Sequence, residues 1–457
     1  MGSFPCRIDA IPTSRAIAVR TDESLIFIKP YGTRCNIKFP RQLCNSIGGG
    51  WFCGRHLIFS VAWLCQSLTL TQSLSLDGTP YVNVIHIVGE FLLKLSTPPS
   101  KAPMNSLESE LTYPFGEALP DPGALQQVCS GVYWLRMPLP FALNHINLWL
   151  LEDGDGWTVI DCGIASDETR SSWKHIFAHH LNGKPVTRVI ATHCHPDHLG
   201  LADWLCEQWQ VPLWMSAGEY GFGRMMQAGL SGLDWASMVP HFRRNGVLDP
   251  QIIAQLSERK EYYSTLVPAI PTSFVRLQDQ QMLRIGAYGW QVITGFGHSP
   301  EHVSLFCAEL NCLISGDMVL PRISTNVSVW ASEPLGNPLQ MFLDSLARYD
   351  ALDTDALILP SHGKPFRGLQ IRLQQLMRHH QDRLAELLQA CETPQSANDV
   401  LPVLFPRPLD AHQLTFAFGE SLAHCHYLWY CGKLERVTGD DGIFRFVAKQ
   451  QAQKAST

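Results

Sequence analysis

The segment Thr192-His193-Cys194-His195-Pro196-Asp197-His198-Leu199-Gly200 carries four side chains of the metal-ligand type within six residues. Residues 186–191 before it are largely apolar, which is typical of a strand buried on both faces. Residues 199–208 after it have the apolar spacing of a helix. The segment is therefore predicted to be a loop at the carboxyl end of a buried strand. A polar surface turn would not need three imidazoles, so the pattern indicates a functional site.

The spacing inside this segment divides its ligands into two pairs. His193 and His195 are two residues apart, so on an extended chain they point to the same side and could bind one metal ion. Asp197 and His198 come after Pro196 and turn toward a neighbouring position. We therefore expect the loop to contribute to more than one ligand position.

Three further candidate ligands lie farther along the chain, each beside a predicted strand. His298 lies between predicted strands at 291–294 and 303–308, and Asp317 follows one at 312–315. His362 follows a predicted strand at 356–359. A lone histidine at a strand end is more often structural than functional. Because all three occupy the same kind of place as the first motif, together they indicate one shared site.

The predicted elements fall into two β-rich halves. Strands are predicted in the first half at 128–135, 145–151, 157–161, 186–191 and 212–215, with a helix at 169–181. The second half holds the strands named above, and a leucine-rich helical pattern begins after Pro365. Helices between and outside two β-rich halves imply a layered α/β fold.

The ligand pattern resembles that of the metallo-β-lactamase superfamily over roughly residues 128–365. The resemblance implies an αββα metallo-β-lactamase sandwich with a two-metal site at one edge of its sheets. It assigns His193, His195 and His298 to the first metal, Asp197, His198 and His362 to the second, and Asp317 to both. Asp161, in the Asp161-Cys-Gly turn, matches a strand-end aspartate that supports the ligands from outside the coordination sphere.

The resemblance also implies a chemistry. An aspartate at 317 rather than a cysteine is similar to the glyoxalase II-like hydrolases, which favours a zinc-dependent enzyme with two Zn²⁺ ions; iron or manganese would also suit these ligands. A metal-bridging hydroxide would attack a small ester, thioester or lactone-like substrate, and Asp197 would orient it and move its proton. The alternative is a metal-dependent endoribonuclease of the lactamase-beta-like type.

Two regions could shape the substrate site. The segment 217–270 is predicted to be a helical insertion rich in aromatic residues and methionine. It is interpreted either as a satellite hydrophobic core or as a lid with an apolar inner face. Arg322 and Asn326, in the loop after Asp317, are weaker candidates for hydrogen bonds to substrate.

Residues 366–457 are predicted to form a linker helix and a winged-helix-like domain. This resemblance rests on four predicted elements in order: a helix through residue 390, a short helix from Ser396 to before Pro402, a helix at 413–433 and a Gly-tipped hairpin. Residues 393–457 hold six Lys/Arg and six Asp/Glu. This balance disfavours nucleic acid as a partner, because phosphate contacts dominate such binding. A packing or homodimer role is expected instead.

The first 103 residues differ in composition from the rest. They hold ten Lys/Arg and five Asp/Glu, whereas residues 104–457 hold 25 and 36, a net charge of −11. Two interpretations of residues 1–103 are open. They are a small accessory domain or, as we prefer, the product of an over-extended reading frame whose true start is Met104. Residues 104–365 are then the hydrolase domain.

The whole-chain composition sets broad limits on function. With 457 residues, 46% hydrophobic and 17% charged, the chain is globular in composition, and its net charge of −6 does not suggest a polyanion partner. Fourteen cysteines without regular spacing favour reduced thiols. No apolar stretch reaches the roughly 20 residues that span a bilayer. We therefore expect a cytoplasmic protein that acts on a small molecule.

Overall fold

The structure is a computed structural model that describes residues 107–449, apart from 142, 258–261 and 410, together with four strands within residues 7–38. The chain forms two compact units, Met1–Ala102 and Pro103–Thr457. The first contains an antiparallel sheet of β1 (Arg7–Asp9), β2 (Ile17–Thr21), β3 (Ser24–Tyr31) and β4 (Arg34–Lys38), in that order. The other residues of the predicted segment 1–103 lie outside the described part, and the assignment of Met104 as the start stays a prediction.

The second unit contains two large sheets. The seven-stranded sheet has the order β11-β10-β9-β8-β7-β6-β5 and the five-stranded sheet the order β12-β13-β14-β15-β16. The seven-stranded sheet comprises β5 (Gln126–Cys129), β6 (Val132–Pro138), β7 (His145–Asp153), β8 (Gly156–Ile160), β9 (Val186–Ile190), β10 (Leu213–Ser216) and β11 (Phe274–Leu277). The five-stranded sheet comprises β12 (Met282–Ile285), β13 (Tyr288–Gly295), β14 (His302–Cys307), β15 (Cys312–Gly316) and β16 (Leu357–Pro360).

Eleven α-helices are described in this unit. They are α1 (Asp167–His179), α2 (Pro196–Leu199), α3 (Ala202–Trp209), α4 (Ala217–Gln227), α5 (Trp235–Arg244), α6 (Pro250–Ser257), α7 (Tyr262–Leu266), α8 (Pro338–Leu346), α9 (Leu369–Ala390), α10 (Leu401–Leu404) and α11 (Ala411–Tyr430). Short 3-10 turns occur at Glu108–Glu110 and Ala347–Tyr349. A hairpin of β17 (Leu434–Thr438) and β18 (Phe444–Ala448) follows α11.

Three hydrophobic clusters hold the sheets and helices together. Each strand contributes to the clusters on both of its faces, because its successive side chains point to opposite faces. Between the sheets, Trp149 of β7 packs in one cluster with Trp290 and Leu305 of the smaller sheet. Outside the larger sheet, Leu148 packs with Trp173 of α1. Outside the smaller sheet lies a third cluster that contains side chains of α8, α9 and α11. The layers follow the order α, β, β, α, so the predicted sandwich is confirmed.

Two predicted elements have different bounds in the structure. The strand predicted at 128–135 is two strands, β5 and β6, because Gly131 adopts a positive φ and closes a tight turn between them. The helix predicted to run from Ser396 to before Pro402 is a turn that Ser396 and Asp399 stabilise by mutual hydrogen bonds. The helix α10 begins after it, with Pro402 in its first turn, where proline's missing N–H costs no hydrogen bond.

Candidate metal centre

All seven predicted ligands meet at the edge where strands of both sheets end. The segment after β9 supplies four of them, and His195 precedes Pro196 at the start of α2. The loop between β13 and β14 supplies His298, and the ends of β15 and β16 supply Asp317 and His362. The ligand atoms form two groups, each within 4.8 Å: one of His193, His195, His298 and Asp317, and the other of Asp197, His198 and His362.

The first group is a cluster of imidazole nitrogens that ends on a carboxylate. His193 Nε2 lies 2.9 Å from His195 Nδ1 and 3.2 Å from His298 Nε2. His298 Nε2 lies 3.3 Å from Asp317 Oδ2. Three nitrogens and one oxygen that converge in this way match the number and kind of donors that Zn²⁺ takes.

Asp317 joins the first group to the second. Its other oxygen, Oδ1, lies 3.6 Å from His198 Nε2 and 3.6 Å from His362 Nε2. Asp197 Oδ2 lies 3.6 Å from His198 Nε2 and 3.4 Å from His362 Nε2. The two oxygens of Asp317 therefore face different groups, which is the geometry that a bridging carboxylate requires.

Backbone carbonyls fix two of the histidine rings. His298 Nδ1 donates to the carbonyl of Asn326 at 2.8 Å, and His362 Nδ1 donates to the carbonyl of His145 at 2.9 Å. A carbonyl only accepts hydrogen bonds, so Nδ1 carries the proton in both rings and Nε2 keeps its lone pair for a cation.

Asp161 and Thr192 support the ligands from behind. Asp161 accepts hydrogen bonds from the Thr192 backbone N–H at 2.7 Å and from its hydroxyl at 2.9 Å. Asp161 Oδ2 also lies 2.8 Å from His198 Nδ1, so that His198 Nε2 faces Asp197 and Asp317. Asp161 has a φ of 62°, an uncommon conformation for a residue other than glycine. These contacts place Asp161 behind His198 and Thr192, and its predicted supporting role stays a prediction.

The donor set fits divalent cations. Buried His198 Nε2 and Asp317 Oδ1 have no hydrogen-bond partner among the described residues, although each faces the centre of the cluster. Burying an unpartnered acceptor costs free energy, whereas a cation would satisfy it. Imidazole and carboxylate ligands suit zinc and also other first-row metals.

Charge differs between the two groups. Burial, together with the nearby His298, lowers the pKa of His195 to about 3, so this ring is neutral and able to bind a metal at neutral pH. Burial opposes ionisation of His198, but the carboxylates of Asp161, Asp197 and Asp317 raise the pKa of His198 to about 10. Three carboxylates thus act on His198, and a second cation bound between Asp197, His198 and His362 would take over their neutralisation from the proton of this ring.

His302 lies close to the ligands but has a structural role. The ring is fully buried, and its Nε2 accepts the backbone N–H of Asp317 at 3.1 Å. A side chain on Gly316, which has a φ of 55°, would collide with this ring. His302 belongs to neither ligand group and positions the backbone that carries Asp317.

Sequence reasoning did not find two residues that hold the ligand loop. Glu219 is fully buried, and its carboxylate accepts the backbone N–H groups of Cys194 at 2.9 Å and of Glu301 at 2.7 Å. The Tyr263 hydroxyl donates to the Cys194 carbonyl at 2.6 Å. Glu219 comes three residues after Ser216, whose side chain caps α4, so the sequence shows only a capping pattern there.

Arg322 and Asn326 were predicted to hydrogen-bond to substrate, but their side chains make other contacts. Arg322 is half exposed, and its Nε lies 3.8 Å from Glu108. The Asn326 side chain donates to the Phe416 carbonyl and to Glu420 of α11. Only the Asn326 backbone carbonyl faces the centre, through His298. These contacts do not support a substrate-binding role for either side chain.

Glu420 gives the centre a pH-dependent neighbour. Burial raises the pKa of Glu420 to about 7, against the opposing hydrogen bond from Asn326. A carboxyl whose folded pKa exceeds its ordinary 4.5 stabilises the fold below about pH 4.5, and this contribution is lost as pH rises through about 7. We expect Glu420→Gln to raise the free energy of unfolding by less than about 1 kcal/mol near pH 5 and by roughly 2 to 3 kcal/mol near pH 8. Urea unfolding of both proteins tests this, and an equal difference at both pH values would contradict it.

The insertion 217–270 contributes to a hydrophobic cluster and to the wall of a cavity, and its role as a lid stays a prediction. Met238 and Phe242 of α5 are buried in the outer hydrophobic cluster. Met238 also lines a cavity of about 680 Å³ that is bordered by His195 and His298. The segment is thus part of the core and also a wall beside the metal centre.

Within the described residues, none of the helices combines the length and the apolar character that a membrane crossing requires.

Comparison with known proteins identifies the family. The sequence model of the "Metallo-beta-lactamase superfamily" matches residues 143–362, and that of the "Metallo-beta-lactamase-like, C-terminal domain" matches 384–449. A solved beta-lactamase domain protein from Burkholderia ambifaria is 52% identical and has a TM-score of 0.72, over 76% of this chain and 100% of that one. The chain therefore belongs to the metallo-beta-lactamase superfamily.

Two other similar proteins point the same way. A metallo-beta-lactamase family protein from Thermus thermophilus is 27% identical, with a TM-score of 0.60 over 71% of this chain and 100% of that chain. The probable metallo-hydrolase YqjP of Bacillus subtilis is 22% identical over 320 residues, which cover 64% of this chain and 91% of the relative. With its His/Asp cluster, the protein is a metallo-hydrolase of this superfamily. The winged-helix interpretation of the C-terminal region stays a prediction.

Proposed function

We propose that the protein is a dinuclear, zinc-dependent hydrolase of a small ester, thioester or lactone-like substrate. The observation that carries this proposal is the position of Asp317, with Oδ2 3.3 Å from His298 in one ligand group and Oδ1 3.6 Å from His198 and His362 in the other. A carboxylate shared in this way can bridge two neighbouring cations. A single cation would engage only one of the two Asp317 oxygens.

In the proposed mechanism, some side chains bind the metal ions and others orient the attacking water and move its proton. Two bound cations would lower the pKa of a coordinated water toward about 7 and polarise a substrate carbonyl. Burial resists ionisation, but His198 and His362 lower the pKa of Asp197 to about 2, so its carboxylate is ionised and can accept a hydrogen bond that orients the attacking water. The transfer of that water's proton is assigned to Asp197 by its position beside His198 and His362 and not by its pKa. Asp161 keeps the His198 ring in place throughout.

Access to the centre supports a small organic substrate. The cavity is bordered by His195 and His298 of the first group, and its volume lies in the range that accommodates small molecules. The described residues that line it include neither lysine nor arginine. RNA binding depends on phosphate contacts, so this lining does not favour the alternative function of an endoribonuclease.

Metal analysis and a substrate panel test the proposal. We expect purified protein to hold two metal ions per chain and to hydrolyse at least one ester, thioester or lactone. Activity should be lost on chelation and restored by zinc. The panel includes a β-lactam and RNA. A single ion at saturation, or turnover of RNA alone, would contradict the proposal.

A further inference from the structure

The cavity beside the metal centre is walled by three separate parts of the chain. The insertion contributes Phe222 and Met226 of α4 and Trp235 and Met238 of α5. The segment before α8 and that helix contribute a second wall, and α11 contributes a third. Cavities formed where several elements meet are the usual location of small-molecule sites.

The walls of this cavity are apolar and adaptable. Three methionines line it, Met226, Met238 and Met341, together with Trp330 of the segment before α8 and Phe416 of α11. Methionine is flexible and polarisable, so it packs against apolar groups of varied shape. Such walls suit a flexible hydrocarbon chain better than a rigid polar ring.

The charges in the cavity select against anions. Apart from histidines, its ionisable lining residues include Asp234 and Glu333, and no lysine or arginine is among those that the structure describes. Away from the two cations of the proposed centre, a carboxylate or phosphate on the ligand would enter an apolar space without a cationic partner, at a large cost in desolvation. A ligand in this cavity is therefore uncharged along the part that it buries.

We propose that this cavity binds the acyl chain of an uncharged ester or lactone. The inference rests on the proposed hydrolase function and adds to it the substrate class. The reactive carbonyl would lie next to His195 and His298, and the chain would extend between the insertion and α11. The first ligand group borders the cavity, so the carbonyl would meet the centre from that side.

Binding of uncleavable ligands tests this inference without reliance on turnover. Methyl ketones of increasing chain length are titrated into the zinc-loaded full-length protein by calorimetry. Burial of each methylene is expected to raise affinity about three- to fourfold until the cavity is filled, which corresponds to about 0.8 kcal/mol. A ketone of the same length as methyl nonyl ketone that ends in a sulfonate, an anion that is a poor zinc ligand, should bind at least about tenfold more weakly. Affinity independent of chain length, or equal affinity for the sulfonate-ended ketone, would overturn the inference.

Two neighbouring methionines provide a matched pair of variants. Met226→Trp places bulk in the cavity and is expected to reduce the affinity for methyl nonyl ketone at least about tenfold. Met225, on the same helix, is 40% exposed and is not a lining residue, so Met225→Trp should leave this affinity unchanged. Equal effects of the two variants would contradict the assignment. Hydrolysis and metal content are recorded separately, so that chain-selective binding without turnover would refute the hydrolase function and not the acyl site.

Discussion

Asp317→Ala is expected to leave one metal ion per chain, where the proposal gives the unchanged protein two. The substitution removes an oxygen ligand from each group, and the carboxylate would no longer lie between two like charges. The first group retains three histidines, whereas the second retains Asp197, His198 and His362 without the bridge. The second ion should therefore be lost preferentially, and hydrolysis should fall by more than the roughly 10–100-fold typical of residues outside the coordination sphere.

Elemental analysis of metal per chain measures this result, with His302→Ala as its control. His302 is a buried histidine close to the cluster, yet it contacts Asp317 only through the backbone N–H. Its removal should leave the stoichiometry at two when metal is saturating. Two ions retained in Asp317→Ala, or one lost in His302→Ala, would show that the ligand set has been assigned incorrectly.

The ligands could be predicted from the sequence because their chemistry is local. Four of them occur within six residues, and the others each stand beside a strand whose apolar pattern is clear. Since parallel strands such as β8 and β9 present their carboxyl ends at one edge, strand order is enough to bring such residues together. Asp161, which directly follows β8, was assigned from the family resemblance of the Asp161-Cys-Gly turn.

The supporting contacts could not be predicted, because they depend on tertiary structure. The carbonyls of Asn326 and His145 hold two ligand rings, and a carbonyl has no signature in the sequence. Glu219 had a sufficient local explanation as a helix-cap residue, so nothing pointed to its bonds with Cys194 and Glu301. The Asn326 side chain was proposed to bind substrate, but it hydrogen-bonds to Glu420 of α11, which lies more than 90 residues further along the sequence.

Only one wall of the cavity, that formed by the insertion, could be predicted from the sequence. The aromatic residues and methionines of the insertion suggested an apolar wall, and Trp235 and Met238 do line the cavity. Nothing in the pattern of α11 indicated that Phe416 faces the same space, because that helix reads as an ordinary buried helix. A site assembled from distant segments becomes visible only once the chain has folded.

Asp161→Asn is expected to weaken binding of the second metal about 10–100-fold and to leave the first much less affected. The carboxylate of Asp161 lies 2.8 Å from His198 Nδ1, and His198 belongs to the second group. An amide keeps the size of the side chain and, as asparagine tolerates a positive φ, the conformation at 62°. The substitution therefore removes the charge and the oxygen that faces His198 and the Thr192 hydroxyl, and it leaves an acceptor for the Thr192 backbone N–H.

Competition with a chelator of known affinity gives the dissociation constant of each ion and so tests this expectation. Asp155→Asn is the matched control, because Asp155 lies exposed in the turn before β8 and the same change is made there. Asp161→Ala should weaken the second site further, since it also removes the acceptor for both Thr192 groups and places alanine at a positive φ, which costs roughly 1 kcal/mol. Weakening confined to the first ion, or equal in Asp155→Asn, would mean that Asp161 does not act through His198. A graded loss of the second ion alone, from Asn to Ala, would establish that path.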